Sequence, residues 1–429
     1  MKILKKNIWR QYQAIYIHIP FCKQKCLYCD FASYACFGER EMRAYTDALC
    51  HEIEVRAEEL DNVATNATVY FGGGTPSVLP IDCIERIAIT LKACGFWNAP
   101  LEATIEVNPG TADLAKLERL RAAGFDRISF GVQSLQDAEL RAIGRIHSAS
   151  EALQAIELAK LAGFKRISCD LIYGLPGQTL ESLEDTLQRL VATGIEHISV
   201  YGLIVEEGTP LQRLVDKGKL LLPDEDVSAD MYELVQQLLT SHGFERYEIS
   251  NYAKNGQYSR HNTVYWQYHS YLAFGAAACG FDVHDKLSSD EYNTYYANLS
   301  QNNSLYGFEL PIACRRTAIS TVPEYIAAAQ ALTNANWRTS ELYALEELTP
   351  HQQLEEFMFM GLRQTAGADL AEAHARFGVD VCHCYQKQLQ PFLEQDFVHY
   401  DAAKQCLYLT PKGMEIGNRI FALFIDGEE

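Results

Sequence analysis

The sequence predicts an α/β protein, a partial, TIM-like (β/α)6 barrel followed by a small C-terminal helical domain of winged-helix type. Three observations carry that reading. Between Ile15 and Gly243, short runs rich in β-branched residues alternate with longer runs of helical period, as βαβ units on a parallel sheet require. Right-handed crossovers curl such a sheet into a full or partial barrel. Side chains with chemistry to offer recur at or just past the ends of those runs, where barrels of this kind build their sites. Beyond Gly243 the alternation stops, and from Thr349 short apolar-periodic helices and a hairpin take over.

The elements follow in order. Residues 15–19 alternate apolar and polar as a first strand, closed by Pro20, which cannot donate to a central ladder. A tight loop then carries Cys22, Cys26 and Cys29 in the spacing C-x3-C-x2-C. Residues 40–60 have helical period. Strand 67–71 runs into Gly72-Gly73-Gly74-Thr75, and helix 81–94 follows. Strand 101–107 carries Glu106 near its end, and helix 114–123 is closed by Gly124. Strand 126–132 leads to Gln133, helix 149–162 to Gly163, and strand 166–173 contains Asp170. Helix 180–192, strand 197–201 and helix 224–241 complete the alternation. The expected divisions are 1–245 for the barrel, 246–340 for a connecting region containing His261-Asn262-Thr263-Val264-Tyr265-Trp266, and 341–429 for the C-terminal domain. In the last, helices are expected at 354–362, 370–377, 382–390 and 411–424, with a hairpin over 397–400 and 406–409.

A net charge of −19 argues against a nucleic-acid partner, which needs a basic face. No run of about 18 apolar residues exists to span a membrane. The segment MKILKKNIWRQYQ has basic residues but no apolar core or cleavage site, so no export signal is expected. Thirteen cysteines, an odd number, then fit a reducing cytoplasm with free and metal-bound thiols.

Three thiolates within eight residues can converge on one soft centre. A closed zinc site wants four ligands, and no fourth lies in this loop: Phe31 stands two after Cys29, and Cys36 falls beyond Ser33. An iron–sulfur cube takes one cysteine per iron, so three leave one iron open. Three unrelated buried thiols are the alternative, but Lys23 and Lys25 favour the ligating thiolate. The glycines before Thr75 let backbone approach a ligand; a tight turn reads the same way. Glu106 follows apolar Ile105, where a charge needs a partner, a function or an exposed rim. Gln133, Arg145 and Asp170 form a polar set, each compatible alone with a strand end or surface. His261 amid aromatics suits a flat macrocycle and its iron, as it suits a hydrogen-bonded core. His269, Cys279, Cys382 and Cys384 are further candidate ligands that read first as structural.

The C-x3-C-x2-C loop with Tyr28 before its last cysteine resembles the signature of radical S-adenosylmethionine (SAM) enzymes. The longer string from Tyr16 to Phe31 is similar to relatives of oxygen-independent coproporphyrinogen III oxidase. So are RISFGVQS (127–134), DLIYGLPG (170–177), EGTP (207–210), EISNYA (248–253) and LTPKG (409–413). Phe31 stands where coproporphyrinogen dehydrogenases carry a fourth cysteine, which points to the haem-chaperone branch. HNTVYW, from His261, resembles the HNxxYW motif of haem-binding relatives. Gly275-Ala-Ala-Ala-Cys279-Gly280 departs from their usual Gly-x-Gly-Ala-His-Ser, lacking the His and Ser.

That resemblance implies a [4Fe–4S] cluster on Cys22, Cys26 and Cys29, its open iron chelated by SAM. It implies SAM contacts from Tyr16, Tyr28, Gly74, Thr75, Glu106, Gln133, Arg145, Asp170 and Ile204, with Glu106 on the ribose hydroxyls, and haem at His261. Arg145 is equally suited to a porphyrin propionate. The implied function is a cytoplasmic haem chaperone that passes haem to an acceptor protein. The alternatives are a coproporphyrinogen III dehydrogenase or a radical methyltransferase acting on tetrapyrroles. An electron donor such as flavodoxin or an NADH system, and peripheral contact with membrane-bound respiratory proteins, are the implied partners.

Overall fold

The computed structural model describes residues 11–284 and 312–425. Lys2, Lys5 and Lys6, on which the reading of the N-terminus rests, lie outside them. Strands β1 (Tyr12–Ile19), β2 (Val63–Gly73), β3 (Ala103–Val107), β4 (Arg127–Gln133), β5 (Arg166–Tyr173) and β6 (His197–Gly202) pair in that order, all parallel. Their inward and outward faces are both buried, because helices cover the outside. Helices α1 (Glu39–Val55), α2 (Ile81–Ala93), α3 (Leu114–Ala123), α4 (Asp137–Ala142), α5 (Ala149–Leu161), α6 (Leu180–Ala192), α7 (Pro210–Asp216) and α8 (Glu225–Ser241) follow the strands. Their starts are legible in the chain. Ser148 and Thr179 cap α5 and α6 by accepting from the N–H groups of Glu151 and Ser182. Gly124 ends α3 with φ of 113°, a left-handed turn that a side chain disfavours.

The first helix is shorter than its expected 40–60. It ends at Val55 and a 3-10 turn, Arg56–Asn62, replaces its tail. The reason is Arg56, which is buried. Its guanidinium pairs with Glu52 Oε1 (3.1 Å) and Glu59 Oε2 (2.6 Å) and donates to the Ala273 carbonyl (2.8 Å). A fully satisfied internal ion network outweighs one more helical turn.

Residues 246–340 extend the same sheet at both edges. β7 (Glu245–Arg246) and β8 (Asn251–Ala253) run antiparallel beside β6, whereas β9 (Tyr271–Phe274) lies parallel to β1. β10 (Cys279–His284), β11 (Ile312–Ala318) and β12 (Tyr343–Leu348) continue outward from β9. Between β8 and β9 the chain must cross from one edge to the other. It does so under the strand N-termini, through α9 (Arg260–Trp266). Glu102, just before β3, accepts the N–H groups of Arg260 (3.0 Å) and His261 (3.1 Å) and pairs with Arg166 at the start of β5 (2.7 Å). Helix α9 therefore closes the floor of the barrel.

The C-terminal unit comprises helices Pro350–Leu362, Leu370–Phe377, Val381–Cys384, Gln386–Glu394, Pro411–Glu415 and Gly417–Phe421. They pack on a three-stranded wing of β13 (Ala368–Asp369), β15 (Cys406–Leu409) and β14 (Val398–Asp401). The expected helix 382–390 is broken at Tyr385 (φ −103°, ψ 18°), and Pro391 sits inside the second piece. The expected 411–424 is split at Ile416, beside Gly417, where helix propensity is low. Phe357, Leu362, Phe377, Leu407 and Phe424 share one core with Tyr268, in the turn after residue 266, and Phe281 of β10. Among the described residues, no helix is long and apolar enough to cross a membrane.

Candidate functional site

A cavity of about 490 Å³ opens at the C-terminal ends of the parallel strands. One wall is the cysteine loop. Its base is tied by Cys22 N–H to the Tyr34 carbonyl (2.9 Å) and Tyr34 N–H to the Pro20 carbonyl (2.7 Å). Lys25 Nζ donates across it to the Phe31 carbonyl (2.9 Å), so this cation holds the loop. His18 Nε2 lies 3.0 Å from the Ala32 carbonyl and fastens the loop's far end to β1.

Cys22, Cys26 and Cys29 all line the cavity. Thr75 Oγ1 donates to Cys22 Sγ (3.6 Å), Ser33 Oγ lies 3.8 Å from Cys29 Sγ, and Arg145 Nη1 donates to Cys26 Sγ (3.4 Å). Burial pushes the Cys22 thiol up, and hydrogen bonds from Thr75 and Ser33 oppose it. Among the described residues no three such ligands close on a single ion. A cube spreads its ligands, one sulfur per iron, and three thiols on one wall suit that arrangement. The strand β2 end is shaped to it: a Cβ at Gly74 would stand 2.7 Å from the Phe21 carbonyl oxygen and 3.1 Å from Cys22 Sγ. Only glycine lets backbone pass that close to the thiol.

The opposite wall is polar and comes from one strand end after another. Glu106 on β3 accepts from the Tyr70 hydroxyl at Oε1 (2.7 Å) and from Gly73 N–H at Oε2 (3.2 Å). Burial raises its carboxyl to about 7, against the hydrogen bond from Tyr70. Gln133 ends β4 at a register shift with φ of 66°, a left-handed backbone that a non-glycine residue adopts only where the surroundings impose it. Asp170 on β5 accepts from Ser129 Oγ (3.2 Å), and burial raises its carboxyl too. Arg145 donates to Asn108 Oδ1 (2.7 Å) and to the Gly131 carbonyl, while its Nε has no partner. Tyr28 packs on Ile143, Ile172 and Leu175, its hydroxyl held protonated by burial. Ile204 (69% exposed) and Phe31 (71%) form an apolar mouth.

Of the expected contacts, Tyr28, Gly74, Thr75, Glu106, Gln133, Arg145, Asp170 and Ile204 line this cavity together with the three cysteines; Tyr16 does not. Its hydroxyl lies 3.0 Å from His18 Nδ1 and its ring stacks on Tyr70, one layer below. His261 is also absent from the cavity wall. It is 1% exposed, with Nδ1 2.8 Å from Thr68 Oγ1, Nε2 2.7 Å from the Tyr265 hydroxyl, and its ring stacked on Tyr70. Burial drops its imidazolium to about 3, so the ring is neutral, yet neither nitrogen is free to meet an iron. The physical reason is the crossing of α9 under the barrel, which puts the motif at the end opposite the cysteines. His269, Cys279, Cys382 and Cys384 line no part of the cavity either.

The residues that the sequence reading passed over are Tyr70, His18, Asn108 and Ser129. Tyr70 had a signal: it lies two before Gly72 on β2, and period two turns Thr68 and Tyr70 to the same face. The unusual segment 275–280 is a turn over 275–278 that runs into β10 and is held against α1, with Gly275 N–H on Glu52 Oε2 (3.0 Å) and Ala276 N–H on the Tyr45 hydroxyl (3.0 Å). Ala277 adopts φ of 59°, a left-handed backbone that favours glycine.

Comparison with known proteins agrees with this architecture. Residues 16–190 match the Radical SAM superfamily, and residues 348–416 match the HemN C-terminal domain. The chain is 33% identical to the heme chaperone HemW of Bacillus subtilis, over 96% of this chain and 99% of that one. It is 32% identical to the heme chaperone HemW of Lactococcus lactis, over 96% and 97%. It is 34% identical to the mouse mitochondrial radical S-adenosyl methionine domain-containing protein 1, over 81% of each. The coproporphyrinogen III oxidase HemN of Escherichia coli superposes with a TM-score of 0.75 over 97% of this chain and 90% of that one. At 22% identity, that likeness shows the fold.

Proposed function

The chain belongs to the HemW branch of the radical SAM superfamily, and from that premise we propose that it is a haem chaperone with a SAM-binding iron–sulfur centre. The observation that carries the reading is the cavity itself, with three thiols on one wall and Glu106, Gln133 and Asp170 on the other. Cys22, Cys26 and Cys29 hold a [4Fe–4S] cluster. Gly74 and Thr75 receive the aminoacyl part of SAM through close backbone approach, and Glu106 accepts from the ribose hydroxyls. Gln133, Arg145 and Asp170 hold the remaining polar atoms, while Tyr28 and Ile204 pack beside them. When bound, cluster and SAM together supply reductive C–S cleavage. The protein orients the two and excludes water.

Haem is the cargo, delivered to an acceptor protein, with a cytoplasmic reductase serving the cluster. Phe31 and Ile204 give the mouth an apolar surface fitted to a flat macrocycle. The same Phe31 occupies the place of a fourth cysteine and weighs against coproporphyrinogen oxidation. The test has two arms. Anaerobic reconstitution should give about four irons and four sulfides per chain. Hemin titration should give a saturable Soret shift at one haem per chain. Formation of protoporphyrinogen from coproporphyrinogen, without stoichiometric haem binding, would favour the enzymatic reading instead.

A further inference from the structure

A column of side chains runs from the barrel floor to the cavity. Its foot is His261, on the helix that crosses under the sheet. Thr68 on β2 and Tyr265 on α9 hold its two ring nitrogens, at 2.8 and 2.7 Å. Its ring face lies against Tyr70, with centroids 4.8 Å apart and planes 26° apart. Tyr16 stacks on Tyr70 at 6.2 Å, so the phenol is flanked by two rings. The Tyr70 hydroxyl donates to Glu106 Oε1 at 2.7 Å. Gly73 N–H holds the other carboxylate oxygen. Gly72 admits the Tyr70 ring, since a Cβ there would stand 2.8 Å from its edge.

We infer that His261 is a positioning residue for the SAM site, acting through Tyr70 to fix the rotamer and hydrogen bonding of Glu106. The inference rests on the reading of Glu106 as the acceptor of the SAM ribose hydroxyls. The physical case is preorganisation. A carboxylate that must take two hydroxyl donors binds best when its own orientation is already set, because no rotamer freedom is then lost on binding. An aromatic stack beneath the phenol supplies that rigidity without adding a charge. His261 is neutral, so it steers by contact and hydrogen bonding alone. Helix α9 thereby couples the floor of the barrel to its mouth.

The test uses the full chain, anaerobically reconstituted, with SAM affinity measured by equilibrium dialysis. Tyr70→Phe should weaken SAM roughly tenfold, the worth of a hydrogen bond to a carboxylate. His261→Ala should weaken it roughly fivefold, the worth of a stacked aromatic pair. The double variant should match Tyr70→Phe alone, not the product of the two, because both act on one group. A structural role alone would give additive losses. The pH profile of SAM binding is the second readout. The groups around Glu106 are Tyr70, Tyr16, Tyr265, Asp170 and Arg127, and its midpoint should move with Tyr70→Phe and His261→Ala alike. Tyr265→Phe, which keeps the His261 ring, stands in if His261→Ala does not fold, with a loss of two- to threefold expected. Equal SAM affinity in parent and His261→Ala, with only the haem spectrum changed, overturns the inference and leaves the cavity reading intact. A reconstituted parent that does not bind SAM overturns both.

Discussion

Arg145 Nη1 donates to Cys26 Sγ at 3.4 Å, placing a half-buried guanidinium against the middle thiol of the cysteine loop. Its Nη2 is anchored by Asn108 Oδ1 and the Gly131 carbonyl, so the cation is fixed before any ligand arrives. A cube held by three thiolates would bring net negative charge into a partly desolvated pocket, where this fixed cation would offset it. Arg145→Leu should therefore lower iron retained after reconstitution and desalting to about half or less of the parent. Arg145→Lys, which keeps the charge but not the fork, should fall between.

Single Cys22→Ala, Cys26→Ala and Cys29→Ala variants should each lose most of their iron and sulfide. Cys36→Ala should keep both, although Cys36 lies only seven positions past Cys29, because its exposed thiol does not line the cavity. Colorimetric iron and sulfide analysis of the reconstituted proteins reads the difference.

Glu106 makes the site sensitive to pH. Its folded carboxyl titrates at about 7, above an unfolded value of 4.5, because burial disfavours the charge. Hydroxyl donors bind the ionised form, so SAM affinity should rise from pH 6 to pH 8 and level off above. Glu106→Gln should be weak and flat across that range. Stability runs the other way. The protonated carboxyl is favoured in the fold, so its contribution is full below pH 4.5 and is lost as pH rises through 7. Glu106→Gln should accordingly gain up to ~3 kcal/mol at pH 8 relative to pH 4.5, less what partial exposure screens, read from urea midpoints.

Gly74→Ala should abolish cluster assembly while leaving a folded chain. The added methyl meets the Phe21 carbonyl at 2.7 Å, and backbone cannot move aside as a side-chain tip can. Overpacking of this kind costs about 1–3 kcal/mol, read from the thermal midpoint beside the iron content.

Ala277→Gly should stabilise the protein by ~1 kcal/mol, since a left-handed backbone costs an L-residue about that much. Glu52→Ala should do the opposite, by ~3 kcal/mol, because it removes one of the two carboxylates that neutralise the buried Arg56 guanidinium and leaves Glu59 alone to do so. It also removes the acceptor of the Tyr325 hydroxyl (2.5 Å), the Tyr343 hydroxyl (2.7 Å) and Gly275 N–H. Chemical denaturation of both variants at pH 7 checks the pair.

The sequence by itself determined the barrel strands and most of the chemistry-bearing side chains of the cavity. Both are written in short range: period two with β-branching marks a strand, and a strand end in a barrel faces one mouth, so Cys22, Gly74, Glu106, Gln133 and Asp170 meet without further information. The chain could not say where residues 246–340 would go. One of their strands, β9, pairs with β1 more than two hundred residues away, and no local pattern encodes that choice. Only the tertiary structure decided that α9 passes under the sheet, and with it that His261 lies at the floor, against Tyr70, instead of facing the cysteines. Depth decided Tyr16 as well: which inward side chain on β1 reaches the cavity depends on its height along the barrel axis, which alternation does not record.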